Sequence, residues 1–195
     1  MTRSPGPVRA VLRPAELEAQ DLAHALQAEA LTGESAVLTT TAGTQISIRG
    51  DAMELAQPQA QRLVRWDETG RILEARPAVQ HERGRTELKS LIEEDIRELV
   101  ALALRFSARV LDRIDPVNRL SHFAVMASRS GAGYLPWRTR EEQQASPNAG
   151  SMGLGGQNLV RASLIPAVRR RPALTHDTHT LAEDLTVRLR REIRR

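Results

Sequence analysis

The sequence predicts an α+β fold in which antiparallel β-hairpins pack against a long central helix and a C-terminal helix, and three observations carry that prediction. Between residues 36 and 76, β-branched and apolar residues alternate with polar ones around glycine-bearing turns, the signature of strands with one buried face. Before and after that region, apolar residues recur at the spacing of an amphipathic helix. Aromatic residues make up only 3% of the chain, so Leu, Val, Ile and Ala must fill the core.

Thr2 to Pro7 reads as a loose arm, because two prolines and a glycine interrupt any regular backbone. Pro14 suits a first helical position, where its missing N–H costs nothing, and Ala15, Ala19, Leu22, Leu26 and Ala30 form one thin stripe that ends at Gly33. So narrow a face predicts a helix on the outside of the molecule. Ala36–Thr41 and Thr44–Arg49 then read as a hairpin around Ala42-Gly43. A second hairpin joins Gln61–Trp66 to Arg71–Arg76 through Asp67-Glu68-Thr69-Gly70, with glycine supplying the positive φ of the turn.

After a polar connector at Gln80–Arg85, Thr86 is placed to cap a long helix that runs to Asp115, where Pro116 halts it. Leu88, Ile92, Ile96, Leu99, Ala103, Phe106, Val110 and Ile114 share one of its faces. At about 1.5 Å per residue such a helix spans roughly 43 Å, enough for a spine. Leu120–Ser128 reads as a buried strand and Asn158–Val168 as a half-exposed one, with Pro166 demanding an edge or a strand end. The intervening residues 129–157 form a long irregular loop, broken by a short helix that Thr139 and Glu142 cap reciprocally. Thr180 and Glu183 repeat that spacing ahead of a last helix striped by Leu181, Leu185, Leu189 and Ile193. The chain divides at the connector: residues 1–80 hold the first helix and both hairpins, and residues 81–195 hold the rest.

Charge is distributed unevenly. The first hundred residues carry 12 Lys+Arg against 16 Asp+Glu, a balance of −4, and the remaining 95 carry 16 against 8, a balance of +8. The basic half calls for an acidic or anionic partner, or for neutralisation by the other half. All but one of the 28 basic residues are Arg, whose planar fork grips carboxylates and phosphates in pairs of bonds. A net charge of +4 is modest for a dedicated nucleic-acid binder. The absence of cysteine excludes disulfides, thiolate nucleophiles and cysteine metal sites, and fits a reducing cytoplasm. No apolar run reaches membrane-spanning or signal-peptide length, so a cytoplasmic, unanchored protein is expected.

Three segments invite chemistry. His176, Asp177 and His179 could bind a divalent metal if a helix set both imidazoles on one face, although Asp177 and Thr178 also suit the approach to a helix. Gly150–Gly156 is glycine-rich like a phosphate loop but lacks the Gly-Lys-Ser/Thr that would complete one, and reads as a linker. Tyr134, Trp137, Arg138 and Arg140 combine the side chains that dominate binding hot spots; the competing reading seats Trp137 in the core edge and pairs the arginines with Glu141 and Glu142. Arg169, Arg170 and Arg171, with Arg190 and Arg191 on the last helix, add positive charge.

No serine sits in a nucleophile elbow, and no cofactor is implied. The expectation is a non-catalytic interaction or adaptor module that binds a protein partner, or itself, through the Tyr134–Arg140 loop and the basic C-terminal surface. Nucleic-acid binding by the Arg-rich C-terminal region and a metal-dependent hydrolase centred on His176 are the alternatives.

Overall fold

The structure is a computed structural model that describes residues 14–17, 20–78, 90–130, 135–147 and 159–194. In chain order its elements begin with α1 (Pro14–Leu17), α2 (Gln20–Leu31), β1 (Gln45–Arg49), β2 (Ala52–Gln57), a 3₁₀ turn (Pro58–Ala60), β3 (Arg62–Asp67) and β4 (Ile72–Ala75). They continue with β5 (Leu91–Ile92), α3 (Glu93–Ile114), β6 (His122–Ser130), β7 (Trp137–Arg138), α4 (Arg140–Ala145), β8 (Leu159–Arg170), α5 (Ala173–His176) and α6 (Thr178–Ile193). The fold is α+β. Two compact units divide the chain: Met1–Arg76 with Arg105–Ser121, and Pro77–Leu104 with His122–Arg195. Helix α3 thus contributes its first half to one unit and its second half to the other.

The first unit holds an antiparallel sheet of order β1-β2-β3-β4. Met53 pairs with Trp66 and Leu55 with Val64, so these four buried side chains share one face. Leu26 and Ala30 of α2, Val37 of the following loop, and Phe106, Val110 and Ile114 of α3 add further buried apolar surface to the same unit. Burying a side chain the size of Leu26 or Phe106 stabilises a fold by roughly 1.5–3 kcal/mol. The thin stripe of α2 is therefore core and not an outer surface: Leu26 and Ala30 are both 0% exposed.

The hairpin expected around Ala42-Gly43 is displaced by one element. Ala36–Thr41 forms no strand, and β1 instead turns through Gly50 (φ +63°) into β2. The reason lies in Gln57, fully buried on β2, whose Oε1 accepts from the Thr39 N–H at 3.0 Å. Its Nε2 reaches the Thr39 carbonyl at 2.6 Å, the Ala42 carbonyl at 3.1 Å and the Thr44 hydroxyl at 2.9 Å. Val37 and Leu38 both donate their N–H to the Ala30 carbonyl, at 2.9 and 2.8 Å. With Val37 N, Leu38 N and both backbone groups of Thr39 claimed this way, the segment cannot pair as a continuous ladder. The second hairpin matches expectation: Gly70 has φ +81°, and the Asp67 carboxylate accepts from Thr69 N, Thr69 Oγ1 and Arg71 N at 2.9, 2.5 and 3.1 Å.

In the second unit, α3 begins at Glu93 and not near Thr86, because Leu91–Ile92 pairs as a parallel strand with Trp137–Arg138; Thr86 and Leu88 lie outside the described residues. The helix is 22 residues long, about 33 Å, and opens on Glu93, Glu94 and Asp95, which suit its positive end. Strand β6 pairs antiparallel with β8 as a two-stranded ribbon. The sequence predicts a buried strand here; its side chains instead alternate between exposed and half-buried, since among the described residues α6 packs on one face of the ribbon. Register shifts between Ala124 and Met126, opposite the stretch that contains Pro166. Helix α6 packs on β8 and buries Leu181, Ala182, Leu185 and Leu189. It starts at Thr178, two residues before the expected cap Thr180, and Thr178 Oγ1 donates to the Leu174 carbonyl of α5. Among the described residues no helix is long and apolar enough to cross a membrane.

Candidate interaction surface

Trp137 is positioned by the parallel pair β5–β7, anchored where Leu91 N donates to the Pro136 carbonyl at 2.8 Å. It is 7% exposed, and its Nε1 donates to Glu93 Oε2 at 2.8 Å. The same oxygen accepts from Arg190 Nη1 at 2.6 Å, and Arg194 Nη2 reaches the Trp137 carbonyl at 3.4 Å. One carboxylate at the start of α3 therefore ties together β7 and the last turns of α6.

The neighbouring arginines are likewise engaged within the chain. Arg138 Nη1 donates to Gln143 Oε1 at 3.1 Å and to the Ser146 carbonyl at 2.7 Å, and its Nη2 donates to the Glu142 carbonyl at 2.9 Å, so it closes the end of α4. Thr139 and Glu142 form the expected reciprocal cap at the other end, at 3.1 and 2.8 Å. Arg140 donates to Asp95 Oδ1 at 2.6 Å, and that carboxylate raises the guanidinium pKa through hydrogen bonding and charge. The partners of the loop arginines are thus carboxylates of α3 and acceptors of α4, not Glu141. Tyr134 lies outside the described residues, as does Gly150–Gly156.

The C-terminal arginines separate into two sets. Arg171 is 7% exposed, Arg190 is held by Glu93, and Arg169 Nη2 donates at 3.0 Å to the Ile165 carbonyl in the irregular stretch of β8. Arg170 and Arg191 are exposed and form no ion pair among the described residues, and Arg161, which motif spacing did not single out, joins them.

Alternation along β8 explains where Arg161 points. Val160, Ala162 and Leu164 are buried, so Leu159, Arg161, Ser163 and Ile165 lie on the opposite face. Register adds the neighbours of that outer face: Met126 opposite Ser163, Ser128 opposite Arg161 and Ala124 opposite Val168. Met126, Leu159, Ile165 and Val168 are 59%, 45%, 68% and 57% exposed. Neither strand carries a carboxylate, and together they hold four arginines. The period-two pattern was the available signal for this face, but it becomes a surface only once the partner strand and its register are known.

His176 ends α5, Asp177 follows it, and His179 stands in the first turn of α6; all three are exposed. Among the described residues, which include Asp184 and His122, no three His, Asp or Glu side chains are placed together to hold a metal ion. No protein-family model, no curated protein and no solved structure matches the chain.

Proposed function

We propose that the protein is a non-catalytic interaction module whose basic C-terminal surface binds an acidic protein partner. The observation that carries this reading is the outer face of the β6–β8 ribbon, where Arg161 and Arg170 alternate with Met126, Leu159, Ile165 and Val168. Side chains of that size, exposed in one cluster, are a feature of interaction sites, and arginines among them give both charge and directed bonds. Apolar side chains standing between the cations favour a protein over nucleic acid, whose phosphates are tracked by cationic and polar groups. The Trp137–Arg140 segment enters this reading as the frame that holds β7 and α6, with its arginines already bonded within the chain.

Affinity purification with and without nuclease, comparing the wild type with an Arg161→Glu, Arg170→Glu variant, tests the reading. A bound protein that bears an acidic segment should persist after nuclease treatment and be lost from the variant. Recovery that vanishes with nuclease, together with a linear log-log fall of affinity with salt, would favour nucleic acid instead.

A further inference from the structure

The ribbon has edges as well as a face, and they are unlike. Among the described residues β6 pairs with no strand but β8, and β8 with none but β6. On β8, Pro166 has no N–H to offer and the register is interrupted, which spoils its outer edge as a template. Strand β6 runs for nine residues without proline, and Ala124, Ala127, Ser128 and Ser130 leave room for another backbone to approach. The outer edges of the four-stranded sheet, β1 and β4, offer only five and four residues. Proteins normally blunt an edge as long as β6 or use it.

We propose that β6 takes an extended segment of the acidic partner as an added strand, with apolar side chains of that segment beside Met126 and carboxylates directed toward Arg161 and Arg170. This deepens the reading given above and rests on it. Backbone hydrogen bonds along β6 supply affinity, and the outer face reads alternate side chains of the incoming segment. The charge on the ribbon selects the occupant. A second copy docked edge to edge would bring a second Arg161 and Arg170, with no carboxylate on its ribbon strands, to the same place, whereas an acidic segment neutralises the Arg161 and Arg170 already present.

A fluorescein-labelled peptide of alternating Glu and Val, matched to β6 in length, tests the proposal by anisotropy and hydrogen exchange on the full chain. Two further peptides carry N-methyl groups on one or the other alternate set of backbone nitrogens, and a single-stranded oligonucleotide and light scattering of the chain alone complete the arms. Binding is expected, with one N-methylated peptide weakened about tenfold or more and the other near the parent. Exchange should slow in residues 122–130 and stay unchanged in β1 to β4. Met126→Glu, an exposed substitution, should weaken the parent peptide while leaving the far-ultraviolet spectrum intact. If the peptide binds but both N-methylated forms match it and residues 122–130 gain no protection, strand addition is wrong while the acidic-partner reading stands. If the oligonucleotide alone binds, or if the chain dimerises through β6 and ignores the peptide, both are wrong.

Discussion

Two side chains buried in the first unit show how a single residue decides a local structure. Gln57 uses both ends of its amide to hold the Thr39–Thr44 segment, and an alanine there would leave a part-buried N–H and carbonyls without partners. Gln57→Ala should lower the unfolding free energy by about 2–3 kcal/mol, read by urea denaturation, with faster hydrogen exchange at Thr39 as the local mark. A cost below about 0.5 kcal/mol would show that water replaces the amide. Glu74 faces the same interior, opposite Val64, with its side chain 10% exposed and ion-paired to Arg76. Burial outweighs the attraction of Arg76 and Arg62, and the carboxyl is pushed above the usual carboxylate range. The native state then binds the proton more tightly than the unfolded chain does. The stabilising contribution of Glu74 is thus complete below the unfolded pKa and is lost as pH rises through the folded one. As pH rises from the ordinary carboxylate range through the raised folded pKa, the wild type should lose stability relative to Glu74→Gln, and parallel pH profiles for the two proteins would refute the assignment.

Elements were legible in the sequence wherever their signals are local. The Asp67–Gly70 turn and the Thr139–Glu142 cap are written in adjacent residues, and both have the expected geometry. Ala36–Thr41 has strand composition but is claimed by Gln57, some 18 residues away, and no local pattern reports such a partner. Leu91 and Ile92 carry helical spacing, yet pair with Trp137 and Arg138, so the start of α3 was misplaced for the same reason. The candidate surface follows this rule too: local sequence leaves Trp137 between a binding anchor and a core-edge plug, and Glu93, 44 residues before it, decides for the plug by accepting from its indole. That bond gives a prediction at this scale. Glu93→Ala leaves the buried Trp137 N–H unpaired, at a cost of about 2 kcal/mol, while the ion pair to Arg190, which is 31% exposed, adds little. In a Trp137→Phe background the same substitution should cost at least about 1 kcal/mol less, and equal costs in the two backgrounds would dissociate the residues energetically.

At the scale of the whole molecule, the acidic and basic halves of the sequence do not coincide with the two compact units, because α3 belongs to both. Ile96, Ala101 and Leu104 are its buried residues in one unit, and Phe106, Ala108, Val110, Leu111 and Ile114 in the other. A helix whose two halves serve different cores couples them through its own backbone ladder, since fraying one half removes hydrogen bonds that the next turn requires. The protein carries one reporter for each core: Trp66, fully buried in the first unit, and Trp137 in the second. In Trp66→Phe the remaining emission follows the second unit, and in Trp137→Phe it follows the first, while far-ultraviolet ellipticity follows the helices in both. If α3 links the units energetically, emission and ellipticity will fall at the same urea concentration within each variant, even though each substitution shifts its own midpoint. An emission change that runs ahead of the ellipticity in one variant would identify a unit that melts by itself, and α3 would then be a tether and not a shared core element.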